Sequence, residues 1–134
     1  MAHATYLEYT LPQLLKIAVR LTHDFVKLRD KDDPCISCGN FYGEMQAGHL
    51  FKAELYTTLK LDLLNIHKQC KYCNEGREGN FNGFFNGLKA KLTPKQFQRL
   101  IEKKEMDHQT DFKWDRIELI NIIEQRKQQL TLAL

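Results

Sequence analysis

A chain of 134 residues is long enough for one compact domain but short for two. Apolar residues make up 43% of it, and no apolar run reaches the roughly 18 residues of a membrane helix. The first residues lack the charged start and apolar run of a secretion signal, so we expect an intracellular, cytoplasmic protein. A net charge of +3 is too small to indicate nucleic-acid binding by itself; a local basic patch would have to do so.

The first predicted element is a helix over residues 11–29. Thr10 and Gln13 have the spacing of a capping box at its start, and Pro34 ends it, because proline disfavours helix at the preceding residue. The apolar side chains of this helix recur at intervals of three and four, which puts one stripe on a single face: Leu14, Ala18, Leu21, Phe25 and Leu28.

In the middle of the chain, residues 35–80 hold all four cysteines and most of the seven glycines. We expect a strand over 44–51, a second strand within 59–69 and a short helix that begins at Cys70. Asn80 is predicted to cap a further helix over 81–91.

Two helices are predicted in the last third of the chain. Thr93, Pro94 and Gln96 form a strong helix start, and that helix should run to about Glu105. A final helix should cover 113–131. Its isoleucines and leucine are too many for one face, so we expect cover on two sides, with a second chain as one source: Ile117, Leu119, Ile120, Ile122 and Ile123.

All four cysteines fall into two Cys-x-x-Cys pairs, Cys35 with Cys38 and Cys70 with Cys73. In an intracellular chain, such pairs predict metal ligands before disulfides. Zinc favours four thiolates in tetrahedral geometry, and four thiolates leave no open position for water. We therefore expect one structural zinc per chain, which clamps the segment 39–69.

The residues between and beside these pairs resemble those of HNH nucleases with zinc knuckles. Such nucleases carry a histidine on the first strand, an asparagine five residues before the third cysteine and a histidine or asparagine after the fourth. His49, Asn65 and Asn74 stand in those places. Arg77 matches a basic residue that often follows. The pair Cys73-Asn74 also resembles endonuclease VII, a phage Holliday-junction resolvase.

The resemblance narrows to the NinG (Rap) recombination proteins of lambdoid phages, over roughly residues 23–90. It is carried by Arg-Asp-Lys-Asp-Asp-Pro-Cys-Ile-Ser-Cys-Gly at 29–39, Ala-Gly-His at 47–49, Asn-Ile-His-Lys-Gln-Cys at 65–70, Cys-Asn at 73–74 and Gly-Asn at 79–80. It implies a phage- or prophage-encoded protein with an α+β fold, a zinc-stapled ββα-metal (HNH, or His-Me finger) core. We expect one domain over 1–134, divided into an N-terminal helix (1–33), the zinc-knuckle core (34–92) and C-terminal helices (93–134).

Phosphodiester hydrolysis needs a general base to activate water and a cation to stabilise charge on the phosphate. His49 suits the first role, since the ordinary histidine pKa lies near neutrality. Asn65 could orient its imidazole, and Asn74 could offer an oxygen to Mg²⁺ or Mn²⁺. His67 either contacts phosphate or metal, or only packs beside the zinc. The other histidines (His3, His23 and His108) are treated as surface or helical residues.

One position departs from the pattern of many HNH sites, which place an aspartate just before the histidine as a metal ligand. Here that residue is Gly48. Gln46 shares a strand face with position 48, so it could supply a neutral oxygen to the cation instead. Glu44 lies further along the same face.

Four basic residues recur at intervals of four in the last third of the chain: Lys91, Lys95, Arg99 and Lys103. A stripe of this kind is either a solvated helix face or, with Arg77, a set of DNA phosphate contacts. Because a four-way junction needs two symmetric nicks, we expect a homodimer, with the stripe from Leu14 to Leu28 and the C-terminal isoleucines as candidate surfaces.

The sequence as a whole predicts a metal-dependent, structure-selective DNA endonuclease that acts on Holliday junctions or other branched intermediates. Two alternatives stay open. One is another HNH enzyme of the nicking or restriction type, and the other is a non-catalytic zinc module that binds DNA.

Overall fold

The computed structural model describes residues 6–133, so that His3 lies outside the described part. Over this range the chain has an α+β fold, as expected, with four helices and a two-stranded sheet: α1 (Leu11–Arg29), β1 (Met45–His49), β2 (Ile66–Cys70), α2 (Phe81–Lys91), α3 (Pro94–Asp107) and α4 (Arg116–Ala133). Two short helical turns, Thr57–Leu59 and Tyr72–Gly76, lie on either side of β2.

Both predicted capping boxes are present. In the first, Thr10 accepts from the backbone of Gln13 and the Gln13 side chain accepts in return. The box at Thr93 and Gln96 has the same arrangement. Each box satisfies two backbone donors that a helix start otherwise leaves unpaired, which explains why both helices begin where the sequence predicts.

The buried face of α1 differs from the predicted stripe. It runs at intervals of four only, through Leu14, Ala18, Thr22 and Val26. Thr22 is buried although it is polar, because the buried Arg126 of α4 donates from Nε to its hydroxyl at 3.0 Å. A hydropathy pattern does not reveal such a tertiary partner, and this is why the prediction drifted to Leu21 and Phe25.

The two apolar faces that suggested a dimer surface pack against each other within one chain. Leu14 and Ala18 of α1 share a buried cluster with Leu119, Ile120 and Ile123 of α4. Of the predicted α4 residues, Ile117 is 60% exposed. The excess of apolar residues therefore gives no support for a second chain.

The sheet is antiparallel, with Met45 opposite Cys70 and His49 opposite Ile66. The segment 50–65 joins the strands, so this is not a tight hairpin. This segment packs against α2 and α3 in a second buried cluster, formed by Leu50, Phe51, Leu59, Phe84, Leu88 and Leu100. β1 is shorter than the predicted 44–51, β2 extends one residue past the predicted range to Cys70, and the helical turn that follows begins at Tyr72 and not at Cys70.

Helix α2 lies directly on the loop of the first cysteine pair. A Cβ added at Gly87 would meet the carbonyl oxygen of Ile36 at 1.9 Å, and one at Gly83 would meet that of Ser37 at 2.3 Å. Only glycine allows this approach of helix to backbone. Within residues 6–133, none of the helices is both long enough and apolar enough to cross a membrane.

We predict that Gly87→Ala destabilises the protein by about 1–3 kcal/mol, because the added methyl forces α2 away from Ile36. Alanine is otherwise the better helix former by about 1 kcal/mol, so the sign of the effect is informative. Urea unfolding gives the measurement, with Asn86→Ala, an exposed change in the same helix, as the control. A Gly87→Ala protein as stable as wild type would disprove the close packing.

Candidate active groove and metal centre

The four cysteines converge as the paired spacing predicts. Their Sγ atoms all lie within 4.8 Å of one another, and those of Cys38 and Cys70 are 3.8 Å apart. A tetrahedral ion with metal–sulfur bonds of about 2.3 Å would hold its sulfurs about 3.8 Å apart. The cluster therefore fits a zinc ion.

Hydrogen bonds and burial around the sulfurs also favour a cation. The backbone N–H groups of Ser37 and Cys73 donate to Cys35 and Cys70 at 3.4 Å, as does the Asn80 amide to Cys73. Burial raises the pKa of the Cys73 thiol to about 12, so a thiolate there needs a positive charge beside it. Asn80 also caps α2, as predicted.

A groove of about 690 Å³ brings together α1, β1, the segment that follows β1 and the turn after β2, which also carries Cys73. His49 and Asn74, which the sequence assigned to one site, both line it. The other polar groups of its wall are His23, Lys52, Lys60, Glu54 and Glu78.

His49, the last residue of β1, is held at one nitrogen. Its Nε2 lies 3.0 Å from the carbonyl oxygen of Lys60. A carbonyl only accepts, so Nε2 carries the proton and Nδ1 of the neutral ring has a lone pair. Burial lowers the pKa of His49, which keeps the ring neutral at pH 7. This is the protonation state that a general base needs.

Asn65 does not orient this imidazole as expected. It is fully buried, accepts from the backbone N–H of Phe51 at 2.9 Å, and donates to the carbonyls of Phe51 and Leu59. Its side chain therefore closes the segment between the strands. Because that segment carries Lys60, Asn65 acts on His49 only through the backbone.

His67 lies away from the groove, in a buried charged cluster. Its Nε2 is 2.9 Å from the Leu64 carbonyl, and its Nδ1 faces Arg29 and Lys91 at 3.1 and 3.0 Å. Burial and these two cations lower the pKa of His67 to about 3. The neutral ring packs and hydrogen-bonds within this charged cluster, and contact with phosphate or metal stays a prediction for it.

Asn74 is oriented by a chain of amides and carboxylates. The Gln46 amide donates to Glu44 and Glu75, so its oxygen faces Asn74 and accepts from Asn74 Nδ2 at 2.8 Å. Asn74 therefore keeps its own Oδ1 for another partner. Gln46 was expected to offer that oxygen to a cation, but here it positions Asn74.

The structure explains why no acid precedes His49. A Cβ at Gly48 would lie 2.1 Å from Oε1 of Gln69, whose buried side chain donates to Ser37 and to the Gly79 carbonyl. A side chain at position 48 would therefore force Gln69 to move from these hydrogen bonds. Glu54 and Glu78 bring carboxylates to the groove from other segments, and the sequence pattern did not single them out.

His23 is a further groove residue that sequence reasoning missed. It lies on α1, and its ring packs edge-to-face on His49 with 5.7 Å between centroids. A histidine within a helix carries no local signal of such a contact, so only the packing of α1 against β1 reveals it.

The predicted DNA-binding residues are in unlike surroundings. Lys91 ends α2, and so does not share a helix with the others; its Nζ is 2.9 Å from the buried Asp30. Lys103 pairs with Asp62 at 2.7 Å. Arg77, Lys95 and Arg99 are exposed, and phosphate contact stays a prediction for them.

Comparisons with known proteins give one consistent result. The protein-family model described as "NinG: Bacteriophage Lambda NinG protein" matches residues 10–133. Proteins named Protein ninG from Escherichia phage 933W and Escherichia phage lambda are 33% and 32% identical over 95 residues, which is 70% of this chain and 45% of theirs. Protein ninG of Salmonella phage P22 is 40% identical over 67 residues, 49% of this chain and 33% of that protein. The match thus spans less than half the length of these relatives. No solved structure matches.

We predict one zinc per chain, and that Cys70→Ser removes the zinc and unfolds much of the protein. Zinc contributes about 10–16 kcal/mol to the folding of small zinc-binding peptides, more than the stability of most domains. Metal analysis and thermal unfolding make the measurement. Tyr72→Ala alters an exposed residue of the same turn and should keep its zinc. A zinc-free wild type, or a stable Cys70→Ser protein, would contradict the prediction.

The buried, neutral His67 predicts a pH dependence of stability. Because its folded pKa, about 3, lies below the unfolded value, only the unfolded chain binds this proton as pH falls from 6.5 towards 3. Stability should therefore fall with pH by up to about 1.4 kcal/mol per pH unit from this residue.

Urea unfolding between pH 7 and 5 with excess zinc checks this dependence. His67→Gln should lower stability at pH 7 yet flatten the slope by one proton's worth, whereas His108→Gln, at an exposed histidine, should leave the slope unchanged. An equal slope in His67→Gln and wild type would show that His67 is protonated in the folded state.

Proposed function

The chain belongs to the NinG family, and we propose that it is a metal-dependent endonuclease of the HNH class that cuts branched DNA such as Holliday junctions. One observation carries the proposal. A neutral imidazole (His49) and an oriented amide (Asn74) meet in one groove beside a four-cysteine cluster. The base and the cation ligand that hydrolysis requires are thus on two elements whose separation the cluster fixes.

His49 would take a proton from water at Nδ1, as the O–H bond of water breaks and an N–H bond forms. The hydroxide oxygen then attacks phosphorus, the bond from phosphorus to the leaving oxygen breaks, and that oxygen takes a proton from solvent. The carbonyl of Lys60 holds the ring throughout, because Nε2 keeps its proton.

A hard cation such as Mg²⁺ or Mn²⁺ would stabilise the charge on the phosphate and the leaving oxygen. The donors of the groove fit this chemistry, since Asn74 has an uncommitted oxygen and Glu54 and Glu78 are carboxylates. Gln46 as a direct ligand stays a prediction, although its oxygen is already used by Asn74.

Branched DNA is favoured by the likeness of Cys73-Asn74 to a junction-resolving nuclease. Lys52 and Lys60 in the groove, with the exposed Arg77, Lys95 and Arg99, would contact phosphates. A homodimer stays a prediction that rests on the two-fold symmetry of a junction alone. A location in the host cytoplasm also stays a prediction.

A non-catalytic DNA-binding module is the second candidate. Gly48 favours it, because the groove lacks a carboxylate directly before the base. Another HNH nuclease, of the nicking or restriction type, would share the groove chemistry. Metal-dependent cleavage separates the module from the enzymes, and linear against four-way DNA separates the two enzymes.

The decisive test is cleavage of linear, flapped and four-way DNA with Mg²⁺ or Mn²⁺. We predict that His49→Ala lowers the cleavage rate by at least about 100-fold, the usual loss of a general base, with folding and DNA binding kept. Asn74→Ala should raise the Mg²⁺ concentration needed for half-maximal rate. The matched controls are His108→Ala and Asn86→Ala, which alter exposed residues outside the groove.

Two outcomes would contradict the proposal. Wild-type protein that binds DNA but cuts none of the panel with either metal is a binding module. A His49→Ala protein that cuts at the wild-type rate has its base elsewhere, even if the zinc cluster is confirmed.

A further inference from the structure

His23 has a buried polar atom that no hydrogen bond satisfies. Its Nε2 is inaccessible to solvent and has no partner among the described residues. An unpaired buried nitrogen costs free energy, and a phenylalanine or leucine at this position would avoid that cost. Buried polar atoms without partners are rare in folded proteins and call for an explanation.

The ring that carries this nitrogen packs against the ring of the proposed base. The rings of His23 and His49 meet at 64° with 5.7 Å between centroids, which is edge-to-face contact. Burial, followed by repulsion from the positive charge that His49 carries when protonated and from Lys27, lowers the pKa of His23 to about 4. His23 is therefore neutral at pH 7 and stays neutral when His49 is protonated.

The two imidazoles do not by themselves form a metal site. Among residues 6–133, the cysteine cluster is the only group of three or more His, Cys, Asp or Glu side chains close enough to hold an ion. Transition-metal sites need more ligands than this pair supplies. The unsatisfied nitrogen therefore calls for a different partner.

We propose that His23 is a positioning residue that stabilises the imidazolium form of His49, with the lone pair of its buried Nε2 against the His49 ring. The ring proton of His23 is then on Nδ1. Unlike Nε2, this atom is not among the buried polar atoms that lack a partner. When His49 takes the proton from water, the lone pair of His23 faces a positive charge. His23 therefore stabilises the protonated His49 and has little effect on the neutral ring. Such a preorganised dipole lowers the barrier without strengthening substrate binding.

Several charged side chains surround the two histidines and also affect their pKa values. Asp24 raises and Lys27 lowers the pKa of His23 from its own helix. Lys60 disfavours protonation of both rings, while Glu54 favours protonation of His49. Lys52 and Glu78 line the rest of the groove. Among the described residues, the aromatic ring paired with that of His49 is His23, and a change at His23 leaves all of these charged side chains in place.

The role rests on the proposed function, and two substitutions test it. His23→Phe keeps a ring but presents a positive edge to His49. We expect the pKa of His49, followed by NMR titration of its ring proton, to fall by about one unit, and kcat to fall about tenfold with KM for DNA unchanged. The protein should be at least as stable as wild type, because an unpaired nitrogen is removed.

His23→Gln returns a neutral acceptor to the same wall and should restore much of the His49 pKa and of kcat. His108→Phe and His108→Gln are the matched controls at an exposed histidine and should change neither. If His23→Phe leaves the His49 pKa and kcat unchanged, or if His23→Gln is as impaired as His23→Phe in both, the inference is overturned.

The NMR titration needs no activity, so the two proposals can fail separately. A lowered His49 pKa in His23→Phe, with no cleavage by wild type, would support the pairing and refute the nuclease. An unchanged His49 pKa in His23→Phe, with cleavage that His49→Ala abolishes, would refute the pairing and support the nuclease.

Discussion

The convergence of four sulfur atoms is the constraint on which the rest of this molecule depends. Cys35 and Cys38 come from the loop after α1, while Cys70 and Cys73 come from the end of β2 and the following turn. Joining them sets the loop against the strand, and α2 then lies on that loop through Gly83 and Gly87. Without a cation, burial would keep thiols such as Cys73 protonated, and the sulfur atoms would no longer hold these segments together.

The same constraint places the groove. Asn74 follows Cys73 directly, so it is fixed wherever the second cysteine pair is fixed. His49 ends the strand paired with β2, and its register opposite Ile66 sets its distance from that pair. The buried amide of Asn65 then holds the segment that carries Lys60. The Lys60 carbonyl accepts from Nε2 of His49, so this nitrogen carries the ring proton. The cysteine cluster thus fixes the position of β2, the strand register fixes His49, and the Lys60 carbonyl fixes which nitrogen of His49 carries the proton.

How far the sequence predicts this structure depends on the range of the interaction involved. Capping boxes and cysteine spacing are local, so the helix starts and the four-sulfur cluster could be predicted. The residues of the groove were predicted in part, because His49 and Asn74 are marked by their spacing from the cysteines. The role of Asn65, the contact of His23 and the burial of Thr22 depend on segments far apart in the chain, and no local pattern marks them.

The predicted stripe of basic residues shows that the partners of charged side chains are equally hard to predict from local spacing. Lys91 was grouped with Lys95 and Arg99 by spacing alone, yet its ammonium belongs to the cluster of Asp30. Burial would raise the pKa of Asp30, but hydrogen bonds from Arg29 and Lys91 outweigh it and lower that pKa. A buried carboxylate of this kind loses more from the removal of one partner than an exposed pair does.

The missing acid at position 48 has a consequence for the proposed chemistry. Gln69 fills the space that an aspartate side chain would need, so the cation would meet fewer negative charges than at a site with that ligand. Weaker attraction to a hard dication follows from fewer carboxylates. The oxygens of a bound phosphate would then supply part of the coordination. Metal and DNA would each raise the affinity for the other, since coupling between two bound ligands is reciprocal. The proposed metal site would then be complete only when the DNA substrate is bound.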